Sequence, residues 1–143
     1  MSQPSFHPFY RIWFTWIDPL SLVLTATTCF RTPAVILEKI VPSAISPYMP
    51  AQAAIIHQTS ILYAFMGSMM AVLLRASTDP KVWEIVQAAT LAVDIALLAT
   101  MIVSLRQQER LAWSKWRGVE VKNLVFLGMV SGIRTAFLLG VGV

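Results

Sequence analysis

The chain has 143 residues, 57% of them hydrophobic and only 13% charged, with a mean hydropathy of +0.67; soluble domains carry about 25% charged residues, so this balance excludes an ordinary soluble domain and points to a bilayer. The net charge of +4 comes from basic residues that sit between apolar runs without forming an aromatic-interleaved stripe, which argues against nucleic-acid binding. A single cysteine, Cys29, excludes an intramolecular disulfide and the paired thiols of a redox enzyme.

In chain order, spans are expected over residues 9–30, 53–74, 82–105 and 121–143, each close to the roughly 20 apolar residues that cross a hydrocarbon core. The expected fold is all-α: a single-domain integral membrane four-helix bundle. The first span is interrupted by Asp18 and followed by no Ala-x-Ala pattern, so it reads as an uncleaved anchor rather than a secretory signal. Arg31, Lys39, Arg106, Arg110, Lys115, Arg117 and Lys122 flank the first and third loops, against Arg11, Arg75 and Lys81 on the other side. That excess places those two loops in the cytosol and both termini on the lumenal or exterior side, in a multi-pass protein expected in the endoplasmic reticulum. Trp13, Trp16, Trp83, Trp113 and Trp116 fall near span ends, where amphipathic indole rings settle.

The first loop contains Pro33, Pro42, Pro47 and Pro50, which rules out one continuous helix. A short interfacial helix is expected near residues 34–41, followed by a proline-rich cover. The basic third loop, with Trp113 and Trp116, is an ordinary positive-inside segment, with anionic lipid or a partner protein as its alternative ligands.

Ionisable side chains in a bilayer cost about 3 kcal/mol each even on lenient scales, so they face the bundle interior and find partners. In the first span Phe14, Asp18, Ser21, Thr25 and Thr28 recur at steps of three and four and predict an inward polar stripe. The second span presents His57, Ser60, Ala64, Gly67 and Ala71 on one face, and the third presents Glu84, Gln87, Leu91 and Asp94. The fourth carries Gly128, Gly132, Ala136 and Gly140, a small-residue ridge for close helix approach within the bundle or between copies in a homo-oligomer. Arg134, with Asn123 and Ser131, projects elsewhere.

At a rise of 1.5 Å per residue, Asp18 lies about 12 Å in from Tyr10, Arg134 about 13 Å in from Val143 and Asp94 about 18 Å in from Val82. Asp18 and Arg134 therefore share a level, which predicts a buried ion pair beside a kink at Pro19. Three carboxylates, Asp18, Glu84 and Asp94, face one arginine in this zone, so at least one is expected to lack a cation and to keep its proton in an apolar site. Asp94 and Asp18 are the expected acids, with Glu84 as a relay to water and Arg134 orienting Asp18. Tyr10, Trp13, Phe14, Trp16 and Tyr63 are expected to line the substrate cavity with π-faces, and His57 and Asn123 complete the expected substrate-binding set.

The opening segment FHPFYRIWFTWIDPL (residues 6–20) and the closing segment NLVFLGMVSGIRTAFLLGVGV (residues 123–143) resemble the ends of a group of small fungal integral membrane proteins from natural-product gene clusters. Some of these are assigned as membrane-bound terpene cyclases acting on farnesylated phenols or epoxycyclohexenones in meroterpenoid pathways. The resemblance implies a cyclase that protonates a terminal olefin or epoxide with buried acidic groups, Asp18 lying in the first segment and Arg134 in the last. Such a class II cyclisation needs one Brønsted acid, walls that fold the prenyl chain and groups that hold the cation. No cofactor is expected, and no two carboxylates stand close enough in the sequence for an Asp-rich magnesium motif. Rival expectations are a small proton-coupled exporter working as a dimer, a non-catalytic scaffold for cluster enzymes, and a sterol-isomerase-like activity.

Overall fold

Prolines at first helical turns and polar caps set the helix boundaries. The computed structural model describes residues 6–142, and all regular structure among them is helical. Helix α1 (Pro8–Ile12) starts on His7, whose Nδ1 accepts from the Phe9 amide, and runs into a π-helical turn at Trp13–Ile17. Helix α2 (Asp18–Arg31) follows, then α3 (Pro33–Ile40), α4 (Gln52–Ala76), α5 (Pro80–Gln107) and α6 (Gly118–Leu138). Pro80 opens α5 behind Asp79, whose side chain accepts from the Lys81 amide, the expected pairing of an N-cap with proline at the first helical position.

Helices α4, α5 and α6 are each long and apolar enough to cross a membrane, and α1 through α3 make a fourth candidate bent by 107° after Arg31. The chain is thus a helical membrane protein. Short helix α3 occupies nearly the predicted 34–41 stretch. The fourth helix starts earlier and stops sooner than the expected 121–143: it ends in a Schellman turn, with Gly140 at φ 74° and the Val141 amide donating to the Ala136 carbonyl. Gly140 therefore terminates the helix instead of extending the small-residue ridge. Val143, the expected end of that span, lies outside the described residues.

Helix α2 packs along α4 in the most extensive contact of the bundle, and α5 pairs with α6. The α2–α4 pair is antiparallel in register: Arg75 reaches Thr15, Gly67 meets Pro19–Val23, and the Ser60 hydroxyl donates to the Ala26 carbonyl. Gly67 permits this approach, because a Cβ there would sit 3.1 Å from the Pro19 carbonyl oxygen and 3.2 Å from Leu22 Cβ. The predicted small face of the second span is the α4 surface that meets α2. By contrast, a Cβ on Gly128 or Gly132 meets nothing within 4 Å, so these two glycines of the α6 ridge make no close helix contact among the described residues.

The apolar core lies at the end of the bundle that gathers α1, the α4–α5 turn and the end of α6. Phe6, Tyr10, Phe14, Met70, Leu74, Trp83 and Phe137 form one buried cluster. Tyr10, Phe14 and Phe137 meet at centroid separations of 5.3–5.8 Å, within the range of favourable aromatic pairs. The Tyr10 hydroxyl donates to the Val141 carbonyl, tying the two terminal segments together. Trp83, expected in an interfacial belt, is only 3% exposed because Phe6 covers its ring.

The opposite end is held by ions. Glu120, buried at the start of α6, accepts two bonds from Arg110 and bonds from the Arg117 amide and guanidinium. Arg117 in turn donates to the Glu38 and Lys39 carbonyls and to the Glu38 carboxylate. This clamp fixes α3 and the 106–117 segment onto α6.

Candidate functional site

The π-helical turn follows from Pro19. A proline has no amide to donate to the carbonyl four residues back and clashes with it, so the Thr15 carbonyl is orphaned and the backbone widens, the Asp18 amide donating to Trp13 instead. Arg75 supplies the missing donor to Thr15 from α4 at 2.7 Å. Pro19 thus yields a widened turn with a cross-helix anchor, and it places Asp18 at the first residue of α2, pointing into the bundle at 4% exposure.

At the centre Arg134 of α6 spreads its fork between two carboxylates. Its Nη1 donates to Asp94 Oδ2 on α5 and its Nη2 to Asp18 Oδ2 on α2. All three residues are buried, at 1%, 6% and 4% exposure. The expected Asp18–Arg134 pair is present, and Asp94, expected to be without a cation, shares the same guanidinium. With both carboxylates ionised the triad carries one net negative charge, and one proton brings it to zero. A planar fork with five donors serves two carboxylates in a way that an ammonium does not.

Further polar groups are buried nearby on the same helices. On α5 the inward line is Trp83, Gln87, Thr90 and Asp94; Gln87 is completely buried and neither its amide oxygen nor its amide nitrogen has a partner among the described residues. The Ser131 hydroxyl and Arg134 Nε on α6 are likewise unpartnered. Orphaned polar atoms at such depth carry a free-energy cost, a group of features that collects at functional sites.

The remaining predicted residues separate. Glu84 is exposed: the inward line passes through Trp83 and Gln87, and a residue one step from Trp83 turns about 100° off it. Its expected place facing the carboxylate cavity is corrected accordingly. The first-span stripe turns inward only at Phe14 and Asp18, with Ala26 and Cys29 continuing the buried line, while the Thr25 and Thr28 hydroxyls donate to carbonyls four residues back. Tyr10 and Phe14 belong to the aromatic cluster, and Trp13 packs against it. Trp16 is 64% exposed, and its ring lies under the Arg75 guanidinium, 4.1 Å from the centroid. His57 is half-buried against Phe30 near the other end of α2, Tyr63 is half-buried, and Asn123 is exposed. The expected aromatic set is thus divided, with Tyr10, Trp13 and Phe14 in or against a packed core, Trp16 at an open cleft and Tyr63 in neither.

Two elements escaped sequence reasoning. The signal for the Arg75–Thr15 anchor was present, since a proline four residues after Thr15 leaves a carbonyl in need of a donor. The Glu120 clamp was signalled by an acidic residue three positions into a helix behind Arg117, a capping-box spacing. Among the described residues no three His, Cys, Asp or Glu side chains gather so as to hold a metal ion, and the charged centre is the carboxylate–guanidinium triad.

No curated protein and no solved structure is significantly similar to this chain. Residues 4–143 match the family described as a domain of unknown function, DUF7704, and since that match takes in nearly the whole chain, the protein belongs to the DUF7704 family.

Proposed function

We propose that the protein is a membrane-bound terpene cyclase that starts cyclisation of a prenyl chain by protonating its terminal olefin or epoxide without a metal. The observation that carries this reading is the convergence of Asp18 and Asp94 on the single buried Arg134, which leaves the centre of the bundle one positive charge short and ready to hold one proton. Of the two acids, Asp94 has the more accessible side chain, 9% against 4%, and is assigned the proton-donating role. Asp18 shares the guanidinium and Arg134 positions both carboxyls.

The chemistry balances within the site. The carboxylic acid gives its proton to the epoxide oxygen as the carbon–oxygen bond breaks, or to the terminal olefin carbon, and neighbouring double bonds attack the cation in turn. Loss of a ring-flanking proton to the carboxylate ends the cascade and restores the acid. Gln87, two turns from Asp94 on the same face and without a partner, offers its amide to the oxygenated head of the substrate. In this reading the enzyme works in the endoplasmic reticulum membrane with both termini lumenal, in agreement with the distribution of basic residues, on farnesylated phenols or their epoxides.

The test is a microsomal assay in yeast: farnesylated phenols and their terminal epoxides are supplied in deuterated water and products analysed by mass spectrometry. A cyclised isomer that gains solvent deuterium from the olefin substrate, and is lost in Asp94→Asn at equal protein level, supports the assignment. Product formation that survives both Asp94→Asn and Asp18→Asn refutes the acid roles. No conversion with folded protein present favours proton-coupled export, for which a membrane carboxylate is also suited.

A further inference from the structure

A second polar feature stands apart from the triad, at the bundle end where the π-helical turn meets the α4–α5 connection. A cleft of about 360 Å³ opens there between α1, the π turn, the last turn of α4 and the first turn of α5. Its volume lies at the small-molecule end of binding sites. Arg11 and Arg75 line it, with the hydroxyl-bearing Thr15, Ser77 and Thr78, and no Asp or Glu is among the described residues of its lining. The deeper wall is apolar, from Leu74 and the buried face of Trp83, and Trp16 borders the mouth.

The guanidinium of Arg75 is held in place. Its Nη2 donates to the carbonyl orphaned by Pro19, and its plane is fixed over Trp16. A cation that is pre-oriented before ligand arrives loses less conformational freedom on binding than a free side chain. Its Nε and Nη1 have no protein partner among the described residues, which leaves a fork edge of the kind that matches a phosphate or carboxylate. An oriented arginine above an apolar wall, beside an exposed tryptophan of the type found at membrane interfaces, describes a receptor for an oxyanion carried on a greasy chain.

We infer that this cleft binds an anionic amphiphile through its oxyanion head, a phosphate monoester at the membrane interface, with Arg75 as the recognition residue. The site does not depend on proton chemistry at the triad, and it stands or falls separately from the cyclase reading.

The experiment uses the full chain purified in neutral detergent and native mass spectrometry, with dioleoyl phosphatidate, dioleoyl phosphatidylcholine and inorganic phosphate as probes. Phosphatidate is expected to be retained in preference to phosphatidylcholine, and Arg75→Gln to weaken its retention about tenfold, the scale of one charge-assisted contact. Arg106→Gln, an exposed change at the far end, leaves it unchanged. Arg75→Lys preserves a donor for the Thr15 carbonyl and keeps the fold testable if the glutamine variant does not assemble; it is expected to weaken retention by a smaller factor. Inorganic phosphate that binds directly and displaces phosphatidate identifies a free anion as the source of the oxyanion, whereas retention insensitive to phosphate identifies the lipid-borne head. Equal retention of phosphatidylcholine, or retention unaffected in both Arg75→Gln and Arg75→Lys, overturns the inference.

Discussion

Removing one carboxylate from the triad is expected to do little, and removing both to do a great deal. Asp94→Asn deletes one charge-assisted hydrogen bond, worth about 1.5–3 kcal/mol, but it also deletes the excess negative charge and leaves Arg134 matched by Asp18. The two effects oppose, and the net loss is about 1 kcal/mol; the same holds for Asp18→Asn. The double variant leaves a guanidinium at 1% exposure without a counterion, which costs about 3–5 kcal/mol. The coupling energy is then about 1–3 kcal/mol beyond the sum of the single changes, as in other charged networks. Unfolding by dodecyl sulfate in mixed micelles, followed by the fluorescence of the five tryptophans, measures it. Arg134→Met, which leaves two uncompensated carboxylates, is expected to be the most damaging single change. Strict additivity of the two Asn variants, or an Arg134→Met protein more stable than either, refutes a shared guanidinium.

Gly67→Ala forces a methyl group to 3.1–3.3 Å from Pro19, Leu22 and Val23 and is expected to cost about 1–3 kcal/mol through overpacking. Gly132→Ala, with nothing within 4 Å, is expected to leave stability unchanged or raise it by about 0.5–1 kcal/mol; the same micelle titration compares them, and equal losses refute the assignment of the close contact to α2–α4. Glu120→Gln removes the charge that Arg110 and Arg117 share and is expected to cost about 2 kcal/mol, with faster limited proteolysis in residues 41–51 and 106–117. Unchanged cleavage there means that the clamp does not hold these loops.

How much of this the sequence disclosed depends on the residue. The long apolar helices were legible from composition, and the Asp18–Arg134 pair from counting depth along two helices, since rise per residue is a fixed property of the backbone. The α4 face was legible because Ser60 and Gly67 fall on one 3.6-residue line. That Asp94 shares the arginine was not legible, because counting along the axis ignores the reach of a long side chain whose fork has two ends. Glu84 failed for a different reason: steps of three and four from Asp94 pick out both Trp83 and Glu84, and in the fold it is Trp83 that turns inward, against Phe6. The small-residue ridge of α6 has the right spacing for close packing, yet spacing does not say whether a partner is in the same chain.

The triad also imposes an order on biogenesis. Its acids lie at positions 18 and 94 and its base at 134, so a ribosome delivers both carboxylates to the membrane before their counterion exists. Each charge entering a bilayer costs about 2.5–3.5 kcal/mol on the insertion scale, and for the first two this deficit lasts until the last helix arrives. That helix carries its own charged residue and is helped into the membrane by the acids already waiting for it. A nascent chain halted before α6 therefore differs from a finished one by two acids that lack their arginine, and the last helix is the step that supplies the central cation.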